Sequence, residues 1–300
     1  MKDDVRKSPN VIIIFMDDMG WADVGFNGGT HVKTPRLDQM AEEGLVLTDF
    51  YVAQPVCSAS RSALLTGCYP NRIGITGALG PNATHGIYGG EITLAELFKS
   101  KGYATAIFGK WHLGHHIQFL PTRHGFDTFE GIPYSNDMWP MHPEAPKGTY
   151  PPLPYFKDEV QVGENPDQRN FTGDFTQLTI DFIKEHKDEP FFIYVPHPMV
   201  HVPLYCSDEW NGKTGMGLYA DVVGEVDEGC GQILDTIDKL GLEENTLAFF
   251  PLTMDHGSAT EIMQVKQAFI EKARARLLKV VYVFHSLQGG QARLDRKSVV

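Results

Sequence analysis

The sequence predicts an α/β fold with a largely parallel sheet sandwiched by helices, and three observations carry that expectation. The run Val11–Met16 (VIIIFM) is continuously apolar, as in a strand buried on both faces. Strand-like and helix-like segments then alternate along the chain, the pattern of a mixed but mainly parallel sheet covered on both sides. The 300 residues, 42% apolar and 21% charged, suffice for one large domain or two ordinary ones and read as globular rather than disordered.

Each element has its own signal. Residues 35–43 (PRLDQMAEE) open with Pro35, whose fixed φ suits a first helical turn, and place apolar side chains at helical spacing. Leu45–Tyr51 is a strand candidate. Thr93–Ser100 (TLAELFKS) reads as a short helix with Thr93 as cap and Gly102 as stop, and Tyr103–Phe108 returns as a strand. Asp174–Glu185 is an amphipathic helix, followed by a strand at Phe191–Val195. Gly217–Leu240 is a long helix with Val222, Val226, Ile233, Leu234 and Ile237 on one face; Gly241 ends it and Thr246–Phe250 is the next strand. Residues 131–170, rich in Pro, Gly and Asn, read as a long irregular insertion of the kind that often borders a functional site.

The 38 acids outweigh the 26 bases, for a net charge of −12, which argues against a general nucleic-acid binder. No apolar run approaches the ~20 residues of a membrane span. Met1–Asp4 are charged and lead through Ser8-Pro9-Asn10 into the first strand without the apolar core of a signal peptide. No nucleic-acid or membrane partner is therefore expected, and the chain as written is expected in the cytoplasm. Cys57, Cys68, Cys206 and Cys230 are too few for a disulfide scaffold, and no pair has zinc-site spacing. Each alone reads as a small buried apolar residue. Asn82-Ala83-Thr84 and Asn170-Phe171-Thr172 are sequons of a kind that chance supplies at this length.

In α/β sheets, chemistry gathers where strands end. The first strand ends in Asp17-Asp18, two adjacent carboxylates that repel unless a cation neutralises them; alone, the pair reads equally as a solvated acidic turn. The second runs toward Cys57-Ser58-Ala59-Ser60-Arg61, where Ser58 or Ser60 could begin a helix. A helix N-terminus, with Arg61 one turn on, is expected to lower the Cys57 thiol pKa. His115, His116 and His197 read as satisfied loop histidines, and Met138, Trp139 and Met141 as either pocket lining or packing.

Cys57-Ser-Ala-Ser-Arg61 followed by Leu65-Thr66-Gly67 resembles the signature of the type I, formylglycine-dependent sulfatases of the alkaline phosphatase superfamily, with Ala59 where the commonest family pattern has proline. Asp17-Asp18 resembles that family's first metal-ligand pair. Gly109-Lys110-Trp111-His112-Leu113-Gly114 matches its GKWHLG block, and His197–Leu204 (HPMVHVPL) resembles its HPMPHVPL block. The resemblance covers residues 10 to 250. It implies an arylsulfatase-like hydrolysis of sulfate monoesters on a sulfatase-type sheet that is incomplete at the C-terminus. Cys57, oxidised to formylglycine, is the implied nucleophile as its hydrated aldehyde. Asp17, Asp18 and residue 57 are the implied ligands of Ca2+, with Mg2+ as the alternative. Arg61 would stabilise the ionised oxygen at residue 57 and Lys110 would contact sulfate. His112 would deprotonate the second diol hydroxyl so that sulfate is expelled, and His201 would contact sulfate and the leaving group. The implied partners are a sulfate-ester small molecule or sulfated glycan and a formylglycine-generating maturation enzyme.

The resemblance stops after Phe250. The family expects T-S-D-N-G there, whose Asp-Asn pair completes the metal site, and later a sulfate-contacting lysine in K-G-T-T-F-E-G-G. This chain reads Pro251-Leu252-Thr253-Met254-Asp255-His256-Gly257. Residues 251–300 are +4 against −16 for residues 1–250, and of 19 prolines only Pro251 lies there. The genetic code accounts for this. Taking the last base of each codon with the first two of the next, Leu252–Thr253 allows aspartate, Thr253–Met254 asparagine, and Met254–Asp255 forces glycine. Continued, the shifted frame can read D-N-G-P-W, then R-E-G-K-G-T-T-F-E-G-G-V-R-V-P. Residues 1–250 therefore read as a partial sulfatase catalytic domain and 251–300 as a frameshifted, non-native tail. Three functions follow: a sulfatase, a catalytically dead truncated product, or a phosphatase or phosphonate hydrolase of the same superfamily.

Overall fold

A computed structural model describes residues 8–47, 50, 52–252 and the backbone of 279–282. Strand β1 (Asn10–Phe15) lies at its centre, with all six residues buried. Its one polar member, Asn10, is satisfied by donating to Thr246 Oγ1 at 3.1 Å, so apolar burial on both faces is uncompromised. β1 pairs in parallel with β7 (Phe191–Pro196) on one side and β8 (Thr246–Phe250) on the other. The full sheet runs β2 (Leu45–Leu47), β9 (Lys279–Tyr282), β8, β1, β7, β3 (Ala104–Lys110), β4 (Thr128–Ile132), β5 (Pro154–Lys157), β6 (Val160–Glu164). The first seven are mutually parallel; β5 and β6 form an antiparallel hairpin on one edge.

The helices are α1 (Pro35–Glu43), α2 (Cys57–Thr66), α3 (Pro70–Ile73), α4 (Leu94–Lys99), α5 (Phe171–Glu185) and α6 (Leu218–Lys239). The α4 start is a capping box: Glu96 N donates to Thr93 Oγ1 at 3.1 Å, and Thr93 N to the Glu96 carboxylate at 2.7 Å. Val222, Val226, Ile233, Leu234 and Ile237 are all buried, so the long helix presents the expected face. α6 also holds α1 in place: the Asp227 carboxylate accepts from Leu37 N at 2.8 Å and Arg36 N at 3.1 Å, satisfying amides that a helix start leaves open. No helix among the described residues is long and apolar enough to cross a membrane.

Two glycines let the strand ends converge. A Cβ on Gly109 (φ 139°) would stand 2.2 Å from Pro196 O, and one on Gly131 (φ 155°) 2.0 Å from Gly109 O. The ends of β7, β3 and β4 can close together only without those side chains.

Two expectations are corrected. β2 is three residues long; of the rest of that candidate strand, residues 48, 49 and 51 lie outside the described residues. Residues 131–170 are not wholly irregular, because they contain β5 and β6. β5, four residues opening on a proline, and the edge strand β6 are too short to be read from sequence. The tail reading falls almost entirely outside the described residues, which include only 251, 252 and the β9 backbone between β8 and β2.

Candidate active site

The site assembles where β1, β3 and β7 end. Asp17 follows β1 and is buried, 1% exposed. Its carboxylate is held by Lys110 Nζ, from the end of β3, and by Arg61 Nη2 of α2 at 3.3 Å. Burial alone would push the Asp17 carboxyl up; the Lys110 and Arg61 charges overcome that and hold it well below the usual range. Lys110 Nζ also donates to Ser135 Oγ at 2.7 Å. Arg61 Nη1 donates to the Lys110 carbonyl at 2.7 Å, and its guanidinium lies 5.3 Å from the centroid of the Phe15 ring, a cation–π contact.

The segment after β7 docks on the end of β1: His197 N donates to Phe15 O at 2.9 Å and Asp17 N to Met199 O at 3.2 Å. This carries His201 over the acid pair, its Nε2 3.4 Å from Asp18 Oδ2. Asp18 has φ 59° and His112 φ 61°. Left-handed backbone costs a non-glycine residue on the order of 1 kcal/mol or more, and such strain gathers at functional sites. The Asp18 carboxyl is pushed up, first by burial and then by the neighbouring Asp17 charge.

His112 is wholly buried. Its Nε2 lies 2.9 Å from Leu79 O. A carbonyl can only accept, so Nε2 carries the proton and Nδ1 holds the lone pair, without a hydrogen-bond partner among the described residues. Burial, then Lys110 and Arg61, hold the ring well below the ordinary histidine pKa, so it is neutral and able to accept a proton. Leu79 N in turn donates to Ser58 Oγ at 3.0 Å, tying His112 to the first turn of α2.

Cys57 is the first residue of α2, ahead of the serines expected to start it, and is half-buried. The expected lowering of its thiol pKa is overturned. Burial pushes the thiol up to about 11, and the Asp17 and Asp18 charges add to burial against Lys110 and Arg61.

All seven predicted residues, Asp17, Asp18, Cys57, Arg61, Lys110, His112 and His201, thus belong to one cluster. One oxygen of Asp17, Cys57 Sγ and one nitrogen of His201 lie within 4.8 Å of one another. With Asp18 beside them and its charge disfavoured, this donor group fits a divalent cation. The expected Asp-Asn pair and second lysine lie outside the described residues.

Other readings are revised. His197 is not a satisfied loop histidine: it is fully buried, neither ring nitrogen has a partner among the described residues, and burial pushes it down to about 4. His115 and His116 pack ring to ring at 4.4 Å. Trp139 is packed, edge-on to Tyr205, while Met141 is exposed. Cys206 and Cys230 are buried as expected; Cys57 and Cys68 are only half-buried. Sequence reasoning missed Ser135 and the Leu79 carbonyl. Ser135 lies just past the end of β4, so recognising that strand would have marked it by the strand-end rule.

The Sulfatase family model matches residues 9–294. The N-acetylgalactosamine-6-sulfatase of Mus musculus is 40% identical over 267 residues, covering 84% of this chain and 51% of that protein. Arylsulfatase A of Bos taurus is 37% identical over 269 residues, covering 84% and 52%. The chain spans about half the length of the curated relatives it matches. Among solved structures, Ps i-CgsB in complex with k-i-k-neocarrahexaose is 29% identical with a TM-score of 0.70, covering 82% of this chain and 58% of that one. The PsFucS1 sulfatase of Pseudoalteromonas sp. is 27% identical with a TM-score of 0.71, covering 82% and 55%.

Proposed function

The chain belongs to the sulfatase family, and from that premise we propose that it derives from an enzyme hydrolysing sulfate monoesters through residue 57. The observation that carries this is the convergence of Asp17, Asp18, Lys110 and Arg61 around Cys57 at the strand ends, with His112 tied to the same turn of α2 through Leu79 and Ser58. Formylglycine at residue 57, made from Cys57 by a maturation enzyme, would supply a hydrated-aldehyde hydroxyl as nucleophile. A divalent cation, Ca2+ or Mg2+, held by Asp17 and Asp18 would draw electron density from sulfate oxygen.

The chain's own residues do the rest. Lys110 and Arg61 are fixed positive charges in a dry pocket, where they stabilise charge developing on sulfate without reorganising. His112, neutral with its lone pair on Nδ1, accepts a proton from the residue 57 side. His201 sits over the acid pair, placed to contact sulfate and the leaving oxygen. A sulfated glycan or small sulfate ester is the substrate class. Support comes from a relative acting on a sulfated amino sugar by name and a structural neighbour holding a neocarrahexaose.

On this reading residues 1–250 are a partial catalytic domain and 251–300 a frameshifted tail, supported by the charge reversal and the shifted-frame motifs. Because the family match runs past residue 250, the decisive measurement is the nucleotide sequence around codon 251. A gene with no family-like alternative frame there overturns the tail reading. As written, the chain hydrolyses an activated aryl sulfate at least ~100-fold more slowly than one with the frame restored and the downstream sequence added. Both are assayed with Ca2+ and Mg2+ after peptide mass spectrometry confirms conversion at residue 57. Equal turnover overturns the account of the tail; a restored chain that cleaves aryl phosphate in preference overturns the sulfatase reading.

A further inference from the structure

With cysteine unconverted, the pocket offers a different set of donors from the all-oxygen set a hard cation takes. One sulfur, one imidazole nitrogen and one carboxylate oxygen, from Cys57, His201 and Asp17, lie within 4.8 Å of one another although they come from three separate elements. Thiolate, imidazole and carboxylate are the ligands of zinc, and three protein ligands with one open position is its usual catalytic arrangement.

A second observation points the same way. His201 Nδ1 is engaged with the Val202 carbonyl. That oxygen can only accept, so Nδ1 donates to it and Nε2 is the ring nitrogen left for a ligand role. Nε2 is the nitrogen that faces the acid pair, 3.4 Å from Asp18 Oδ2. A metal-binding histidine characteristically donates its other N–H to a backbone carbonyl or carboxylate, which fixes the tautomer and aims the ring. Here that outer contact is already made.

We propose that the unconverted chain carries a zinc-type site, with Cys57 Sγ, His201 Nε2 and an Asp17 oxygen as ligands and solvent in the open position. On binding, the S–H bond breaks, its proton goes to solvent, and the sulfur electron pair forms the bond to the metal; no oxidant or reductant is involved. Lys110 and Arg61 stand close enough to oppose a dication, and the Asp17 carboxylate and the thiolate formed on binding offset those two charges. Cys57 is half-buried rather than sealed.

The test uses the full chain produced without a maturation enzyme, with cysteine at residue 57 verified by peptide mass. After chelator treatment it is titrated with Zn2+ against a chromophoric chelator, and with Co2+ followed by absorption. The expected result is one Zn2+ per chain, release of a proton, and a sulfur-to-cobalt charge-transfer band. Calcium in large excess does not displace the zinc, because a thiolate is a poor ligand for a hard cation. Cys57→Ser, nearly isosteric, loses the band and weakens Zn2+ binding by more than the roughly 10–100-fold that loss of an outer-shell partner costs. His201→Gln keeps the band and weakens binding comparably. Zinc bound equally by Cys57→Ser, a cobalt spectrum without the sulfur band, or unchanged affinity in His201→Gln each overturns the site. The titration needs no sulfatase activity, so its failure leaves the proposed function standing, and an inactive frame-restored chain leaves the zinc site standing.

Discussion

Asp17 with Lys110 and Arg61, and Arg169 with Asp167 and Asp208, are both three-residue ion clusters, yet their surroundings are opposite. In the first, the side chains of Asp17, Lys110 and Arg61 are at most 2% exposed. In the second, Arg169 bonds Asp167 and reaches Asp208 at 2.9 Å, with side chains 44–83% exposed. Water solvates each surface charge whether or not its partner is present, so the surface cluster does little that solvent would not do. In the buried cluster each charge is the main solvation of the others, and removing one strands the rest. The same stripping of water makes Lys110 and Arg61 strong stabilisers of an anion arriving in the pocket.

The largest expected effect tests that dependence. Asp17→Asn leaves two buried cations without their anion and destabilises the chain by about 3–5 kcal/mol, read by denaturant unfolding at pH 7. The pH dependence follows from the sign of the shift. The folded Asp17 carboxyl lies below its ordinary 3.8, so its contribution is fully present above that pH and is lost only as pH falls through the lower folded value. The gap between wild type and Asp17→Asn therefore stays constant from neutral pH down to about pH 4. A loss no larger than a surface substitution's would break the contrast between the clusters.

A smaller effect of opposite sign is expected one residue on. The Asp18 carboxyl is raised in the folded chain, so its charged form opposes folding at neutral pH and its protonated form does not. Asn tolerates the left-handed backbone that Asp18 occupies, so the replacement adds no strain. Asp18→Asn raises Tm at pH 7, measured on metal-free chain, and the gain disappears below pH 3.8, where the wild-type carboxyl is protonated. A lowered Tm at pH 7 would show that Asp18 is already compensated within the chain. The smallest effect belongs to the surface cluster: Arg169→Ala leaves Tm unchanged at low and high salt. A clear drop at low salt would mean that exposed ion pairs matter more here than their solvation implies.

Much of the fold was legible because its signals are local. β1 is a continuous apolar run, α1 opens on Pro35, and Thr93 with Glu96 forms the box that starts α4. Each depends on residues within a turn or a strand of one another. The β5–β6 hairpin was not legible, because β5 is four residues opening on a proline and β6 is a short strand exposed at the sheet edge. In the site, the motif residues named themselves by chemistry and spacing. Ser135 and the Leu79 carbonyl did not: a serine and a backbone oxygen have no signature until Lys110 and His112 reach them.

The sequence by itself determined the alternation of strands and helices, and with it the parallel sheet whose ends gather Asp17, Lys110 and His201. It determined which seven residues to look for at the strand ends, since charge, imidazole and thiol are properties of the side chain alone. Only the tertiary structure decided their protonation behaviour. It set the Cys57 thiol high where a helix N-terminus argued for low. It pulled Asp17 and Asp18 in opposite directions, and it buried His197 without a hydrogen-bond partner among the described residues. The physical reason is that a pKa depends on the water removed and the charges brought near, and both are set by residues far apart in the chain.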